Sequence, residues 1–150
     1  MDYSKKRIVF ISAESLLSTL SGADKPSYPT DFTIRQDVID RLRDMPLLGR
    51  VAILANRPSL DIRAFTPMGK AVEFFVFLYC NVAADVHVCY EEGERMMPGT
   101  GMIDEVLDAL PKGMKSIGGL LFVGCSDIDR ETAGRYCIDY VNVEDYVRGD

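Results

Sequence analysis

The sequence predicts an α/β fold, a doubly wound and mostly parallel sheet in three layers, on three observations. Short apolar runs without polar alternation, such as I-V-F-I at residues 8–11 and L-L-F-V at residues 120–123, read as strands buried on both faces. Between the strand-like runs lie segments whose apolar residues recur at helical spacing. With 150 residues, 47% of them hydrophobic, the chain has apolar material for the core of one domain, 1–150.

A first strand is expected at Arg7–Ile11, climbing out of the basic start Lys5-Lys6-Arg7. Ser18–Thr33, with Gly22, Pro26 and Pro29, reads as a loop. Ile34, Val38, Leu42 and Met45 share one helical face, and Pro46 ends that helix. Gly49 opens a second strand, Val51–Ala55, which runs into Asn56-Arg57-Pro58. Thr66-Pro67 reads as a cap followed by a first-turn proline, opening a helix that buries Val72, Phe75 and Val76. Its segment Phe74–Tyr79 is apolar nearly all round, which places it in the deep core or on a contact surface. Asp85–Tyr90 alternates as a third strand, Glu91–Gly101 is a loop, and Met102–Leu110 is a short helix stopped by Pro111. Gly118–Val123 is a strand ending in Gly124-Cys125-Ser126-Asp127. A helix near Asp129–Tyr136, a strand at Ile138–Val141 and a terminal turn of helix complete the chain.

Right-handed crossovers bring the carboxyl ends of such strands to one edge, where α/β proteins place their chemistry. That edge is expected to carry Ser12, Glu14, Ala55, Asn56, Cys125 and Asp129. The net charge of −6 disfavours a general nucleic-acid-binding surface. Apolar runs such as Val51–Asn56 and Phe74–Tyr79 are too short to span a membrane, and the start lacks a signal-peptide core, so a cytoplasmic protein is expected. Cys80, Cys89, Cys125 and Cys137 form no C-x-x-C pair and His87 stands alone, so they read as small buried hydrophobes rather than zinc ligands or disulfides.

Several stretches, in order, resemble the motifs of the haloacid dehalogenase-like phosphatases, and within them the polynucleotide 3′-phosphatase group and its histidinol-phosphatase-like relatives. R-I-V-F-I-S-A-E-S-L-L resembles the first motif, a strand ending in Asp-x-Asp-Gly-Thr. L-S-T-L-S-G-A-D-K-P-S-Y-P is similar to the Thr-x-Ser-Gly loop of the 3′-phosphatase group. V-A-I-L-A-N-R-P resembles the second motif, M-M-P-G-T-G-M-I the third and L-F-V-G-C-S-D-I-D-R-E-T-A the fourth. The resemblance implies a Rossmannoid domain without a separate cap domain.

The departures fall on the positions that do chemistry in that family. The resemblance implies that Ser12 stands where the nucleophilic aspartate belongs and Glu14 where the general acid/base belongs. Ala55 replaces the phosphate-binding threonine, Met97 (or Met96) the neutralising lysine, and Cys125 an aspartate of the metal site. Asn56, Pro58, Gly101, Met102, Gly124, Asp129 and Ala133 remain as framework.

Phosphoryl transfer needs positioning and stabilisation of dispersed negative charge, and Mg²⁺ needs hard oxygen donors. Ser12 offers a neutral hydroxyl and Cys125 a soft sulfur, leaving Glu14 and Asp129 as residual catalytic candidates and Asp129 and Asp127 as metal candidates. A cysteine-phosphatase loop from Cys125 to Arg130 is one residue short and holds two acids, Asp127 and Asp129. Arg35, Arg41, Arg43, Arg50, Arg57 and Arg63 read as solvated charges among Asp37, Asp40 and Asp44.

The expected protein is therefore a pseudo-phosphatase, not an enzyme, without catalytic residues, cofactor or metal, kept for protein binding, assembly or regulation. Its expected partner is another protein or further copies of itself, with Phe74–Tyr79 and Met96–Pro98 as contact surfaces. The alternatives are a divergent Mg²⁺-dependent phosphomonoester phosphatase and a non-hydrolysing nucleic-acid-end binder.

Overall fold

The computed structural model describes residues 1–114 and 116–149. Its centre is a five-stranded sheet made of β1 (Ile8–Ser12), β4 (Arg50–Asn56), β5 (Ala83–Cys89), β6 (Leu120–Gly124) and β7 (Asp139–Asn142). The spatial order is β5-β4-β1-β6-β7, and every neighbouring pair is parallel. Strand order reverses at β1: the chain builds outward through β4 and β5, then returns to add β6 and β7 on the other side. The carboxyl ends of β1 and β6 therefore flank the crevice where such sheets hold ligands.

The unalternating apolar runs have a direct cause. On one face Val9, Ile11, Val51, Ile53, Leu121 and Val123 pack against helices α2 (Gln36–Arg43), α3 (Ile62–Cys80) and α6 (Val143–Arg148) through Val38, Leu42, Val72, Val76 and Tyr146. On the other, Ile8, Phe10, Ala52, Leu54, Leu120 and Phe122 meet α4 (Gly101–Asp108) and α5 (Asp127–Arg135) through Met102, Ile103, Val106 and Ala133. A strand covered on both sides has no solvent face and needs no polar alternation.

Three expectations change. The loop after β1 is not featureless: one turn of helix, α1 (Ala13–Leu16), leads into a ribbon in which β2 (Leu17–Ser18) pairs antiparallel with β3 (Thr33–Ile34). Ile34 therefore sits in β3, and α2 starts two residues after it. Asp31 organises the loop between the two short strands. Its buried carboxylate accepts from the Ser21 hydroxyl (2.6 Å), the Ser21 N–H (2.7 Å) and the Ser27 N–H (2.9 Å). The Ser21 hydroxyl leads in holding this carboxyl below its ordinary pKa.

The helix expected to open at Thr66-Pro67 begins at Ile62, with Pro67 inside it. Its cap is Asp61, whose side chain accepts from the Ala64 N–H at 2.9 Å, and Thr66 instead donates its hydroxyl to the Ile62 carbonyl at 2.7 Å. An aspartate accepting from the third residue on satisfies an amide that the helix start leaves open, so the earlier start prevails over proline's preference for the first turn. Phe75 is only half-buried, while Val72 and Val76 reach the core.

The cysteines also divide. Cys80 and Cys89 are buried as expected, whereas Cys125 and Cys137 are exposed; all four are free thiols. His87 is not in an apolar setting. It hydrogen-bonds Asp85, which also pairs with Arg50 at 2.6 Å, on the edge strand away from the crevice. Four of the six arginines pair with acids: Arg35 with Asp37 and Glu144, Arg43 with Asp40, Arg50 with Asp85, and Arg57 with Glu92. Among the described residues, no helix is long and apolar enough to cross a membrane.

Candidate functional site

β1 ends in Ser12, the residue that precedes α1 and whose side chain makes no capping hydrogen bond to it, and β6 ends in Gly124, with Cys125 leading into α5. These two strand ends bring together residues 117 positions apart: the Ser12 hydroxyl donates to the Asp129 carboxylate at 2.7 Å. Ser12 Oγ also lies 2.7 Å from Ser15 Oγ, one helical turn on, and the same Asp129 oxygen accepts from the Cys125 N–H at 2.9 Å. Ser12 and Ser15 are fully buried, and Asp129 is 3% exposed.

Asp129 is set in place by local geometry. The Ser126 side chain caps α5 by accepting from the Asp129 N–H at 3.2 Å, which turns the carboxylate back toward β1. Gly124 allows that approach: a Cβ there would lie 2.6 Å from Asp129 Cβ and 2.8 Å from the Tyr140 ring. A glycine is needed for the contact, not for the backbone angle.

Above this floor opens a cleft of about 490 Å³, walled by Glu14, Lys25, Asn56, Arg57, Met96, Met97, Cys125 and Ile128 among others. Asn56 clamps the far wall. Its amide donates to the Met97 carbonyl at 2.8 Å and its oxygen accepts from the Met97 N–H at 3.0 Å. Met97 itself points into the apolar core below α4 and is 4% exposed. The wall turns back sharply at Gly99, where a Cβ would come within 2.3 Å of the Glu94 carbonyl oxygen. Ala55 lies under the neighbouring shallow pocket with Leu60, Phe65 and Met68, and offers the cleft no hydroxyl.

Glu14 stands at the mouth. Desolvation in the cleft raises its carboxyl pKa; the Asp129 charge adds to the rise, and Lys25 and a backbone hydrogen bond oppose it. Because the folded-state pKa lies above the unfolded one, the charged form is disfavoured in the folded protein. Stability at this group is thus fully present below the unfolded pKa and declines as pH rises through the shifted value. Glu14→Gln is expected to raise the unfolding midpoint at pH 7 and to leave it unchanged near pH 4. The gain stays under about 1 kcal/mol because Glu14, though partly desolvated by the cleft walls, still meets solvent at the mouth, which screens its charge, and thermal melts at the two pH values check it.

Cys125 is exposed at the rim, and burial of its sulfur against the cleft pushes the thiol pKa up, with hydrogen bonding to Ser15 opposing and the Asp129 charge reinforcing. That is the reverse of an activated thiolate. Asp127 is exposed on the first turn of α5 and does not line the cleft.

Sequence reasoning missed Lys25 and Ser15. Lys25 reaches the cleft from the loop between β2 and β3, donating to the Arg57 carbonyl at 3.2 Å. Only the ribbon that folds this loop back over β1 makes it a site residue, and nothing in the local D-K-P triplet announces it. Ser15 was findable, since it lies three residues after Ser12 at a helix start. The mouth thus sets Lys25 and Arg57 against Glu14 and Glu92, with Arg57 and Glu92 paired at 2.8 Å.

No protein-family model matches the chain, and no curated protein matches it either. Among solved structures it is similar to the D,D-heptose 1,7-bisphosphate phosphatase of B. bronchiseptica, a structure complexed with magnesium and phosphate. The match covers 91% of this chain and 78% of that one at a TM-score of 0.67, with 11% sequence identity. The chain has the fold of the haloacid dehalogenase-like phosphatases.

Proposed function

We propose that this is a phosphatase-like domain without phosphoryl-transfer activity, retained to bind or assemble rather than to hydrolyse. One observation carries the reading. The position expected to hold a nucleophilic carboxylate holds Ser12, whose hydroxyl is already committed to Asp129 inside a buried network. Were Ser12 to take a phosphoryl group, the phosphoserine formed would be a far poorer leaving group than an acyl phosphate, and turnover would stall at its breakdown.

The chemistry of the available donors supports the same reading. Among the described residues, no group of three or more His, Cys, Asp or Glu side chains is arranged to hold an ion. The one carboxylate on the floor is satisfied by internal donors, and the rim offers a protonated thiol. At the positions resembling the polynucleotide 3′-phosphatase group, Asn56, Gly101, Gly124 and Asp129 remain, while Ser12, Ala55, Met97 and Cys125 stand in place of the reactive groups. The cleft sets Lys25 and Arg57 against Glu14, Glu92 and Asp129 and so carries no excess of positive charge, which favours a neutral or protein ligand over a nucleic-acid end.

Assay of a generic aryl phosphate with Mg²⁺ tests this directly. Hydrolysis by the wild-type protein is expected to equal that of buffer. Mg²⁺-dependent turnover that disappears in Glu14→Ala or Asp129→Ala would establish the divergent phosphatase instead.

A further inference from the structure

α3 carries a second surface that the cleft does not use. The helix leaves the carboxyl edge of β4 and runs back toward the amino edge, so its second half lies far from Ser12. There Phe74, Phe77, Leu78 and Tyr79 are 59%, 56%, 56% and 49% exposed. Beside this ridge runs a groove of about 510 Å³ whose walls include Pro29, Ile39, Pro67, Phe75 and Tyr79.

We propose that α3 is the contact helix of a two-fold symmetric dimer of this chain. A two-fold interface requires one patch to be complementary to itself. Here the projecting ridge of α3 lies beside a groove formed between α3, α2 and the β2–β3 loop, so a two-fold axis crossing α3 seats each ridge in the groove of the other copy.

Area supports the same occupant. Side chains of this size carry roughly 150–250 Å² each, so four that are half exposed offer about 400 Å². Adding the groove walls brings the pair to about 1,000 Å² in total, the lower limit of a specific interface and the range of a weak, reversible dimer. Charge selects it further. Two chains of net charge −6 repel, and they can meet only where acids are few. Residues 74–80 carry no charge, and the bordering Lys70 and Glu73 are of opposite sign, 3.8 Å apart.

The anchors are also ordered in advance. The Phe75 and Tyr79 rings stack with centroids 6.2 Å apart, and Phe74 meets Phe75 edge-on at 6.0 Å. Rigid aromatics at the centre of a patch lose little freedom on contact. This inference does not rest on the pocket reading, because the dimer forms whether or not the cleft turns over substrate.

Sedimentation velocity of the full chain, from about 1 to 100 µM, tests the proposal. The expected result is a concentration-dependent species of twice 16.7 kDa. Phe77→Glu is expected to weaken it about 100-fold or more, with circular dichroism unchanged. Ile117→Glu, at an equally exposed apolar position (53%) elsewhere, is expected to leave it intact. Should Phe77→Glu fail to fold, Leu78→Lys takes its place. A wild-type monomer at the highest concentration overturns the proposal, including one that binds neutral lipid vesicles instead. So does a dimer that survives the α3 substitutions.

Discussion

Ser12→Asp is expected to lower the thermal unfolding midpoint by about 10 °C in the presence of a chelator. The Ser12 hydroxyl is fully buried and 2.7 Å from the Asp129 carboxylate, so the substitution sets a second carboxylate against the first. A buried charge without a compensating partner costs about 3–5 kcal/mol. For a chain of this length, each kcal/mol moves the midpoint by roughly 2–4 °C. The sign with pH follows from linkage. Crowding raises the apparent pKa of the pair in the folded state, so the destabilisation is absent below the unfolded carboxylate pKa and appears as pH rises. Together with Glu14, the variant assembles three carboxylates at one strand edge, and millimolar Mg²⁺ is expected to restore part of the lost midpoint. A midpoint within a degree of wild type in chelator would mean that the buried Ser12–Asp129 contact does not exist in solution.

Asp129→Ala is the second large effect, at about 3 kcal/mol. It strips the acceptor from both the Ser12 hydroxyl and the Cys125 N–H, and each buried donor left open costs roughly 1–3 kcal/mol. Asp129→Asn keeps one side-chain oxygen and is expected to lose about half as much. Urea titration of the three proteins gives the ranking. A separate readout distinguishes the carboxylate's charge from its packing. Because the Asp129 charge contributes to the raised pKa of Glu14, an NMR titration is expected to show Glu14 shifting downward in both variants. An unmoved Glu14 in both would disconnect the floor from the mouth. The two variants probe one structural idea, that this strand edge is a closed hydrogen-bonded floor built around the Asp129 carboxylate.

Strands and layers were legible where physics acts locally. The apolar runs around Phe10, Ile53 and Phe122 could only be doubly covered strands, and they are. The carboxyl edge follows from handedness alone, which by itself brings Ser12, Glu14, Asn56, Cys125 and Asp129 near one another. The start of α3 was misplaced because two caps competed locally: Thr66-Pro67 has the look of a helix start, and Asp61 has the better hydrogen bond. The β2–β3 ribbon escaped notice because two-residue strands leave no periodicity to read. Phe74–Tyr79 was ambiguous in sequence because a helix apolar all round has no moment to show which face is covered. Its exposure depends on what the rest of the chain leaves unfilled.

By itself the sequence determined the fold class and which side chains stand at the strand ends, because burial patterns and the identity of a residue need no long-range information. Only the tertiary structure decided that Ser12 and Asp129 satisfy each other, that Lys25 overhangs the cleft, and that one side of α3 faces water. Each of those depends on distances between segments far apart in the chain, and such distances exist only once the sheet has closed and its helices have packed.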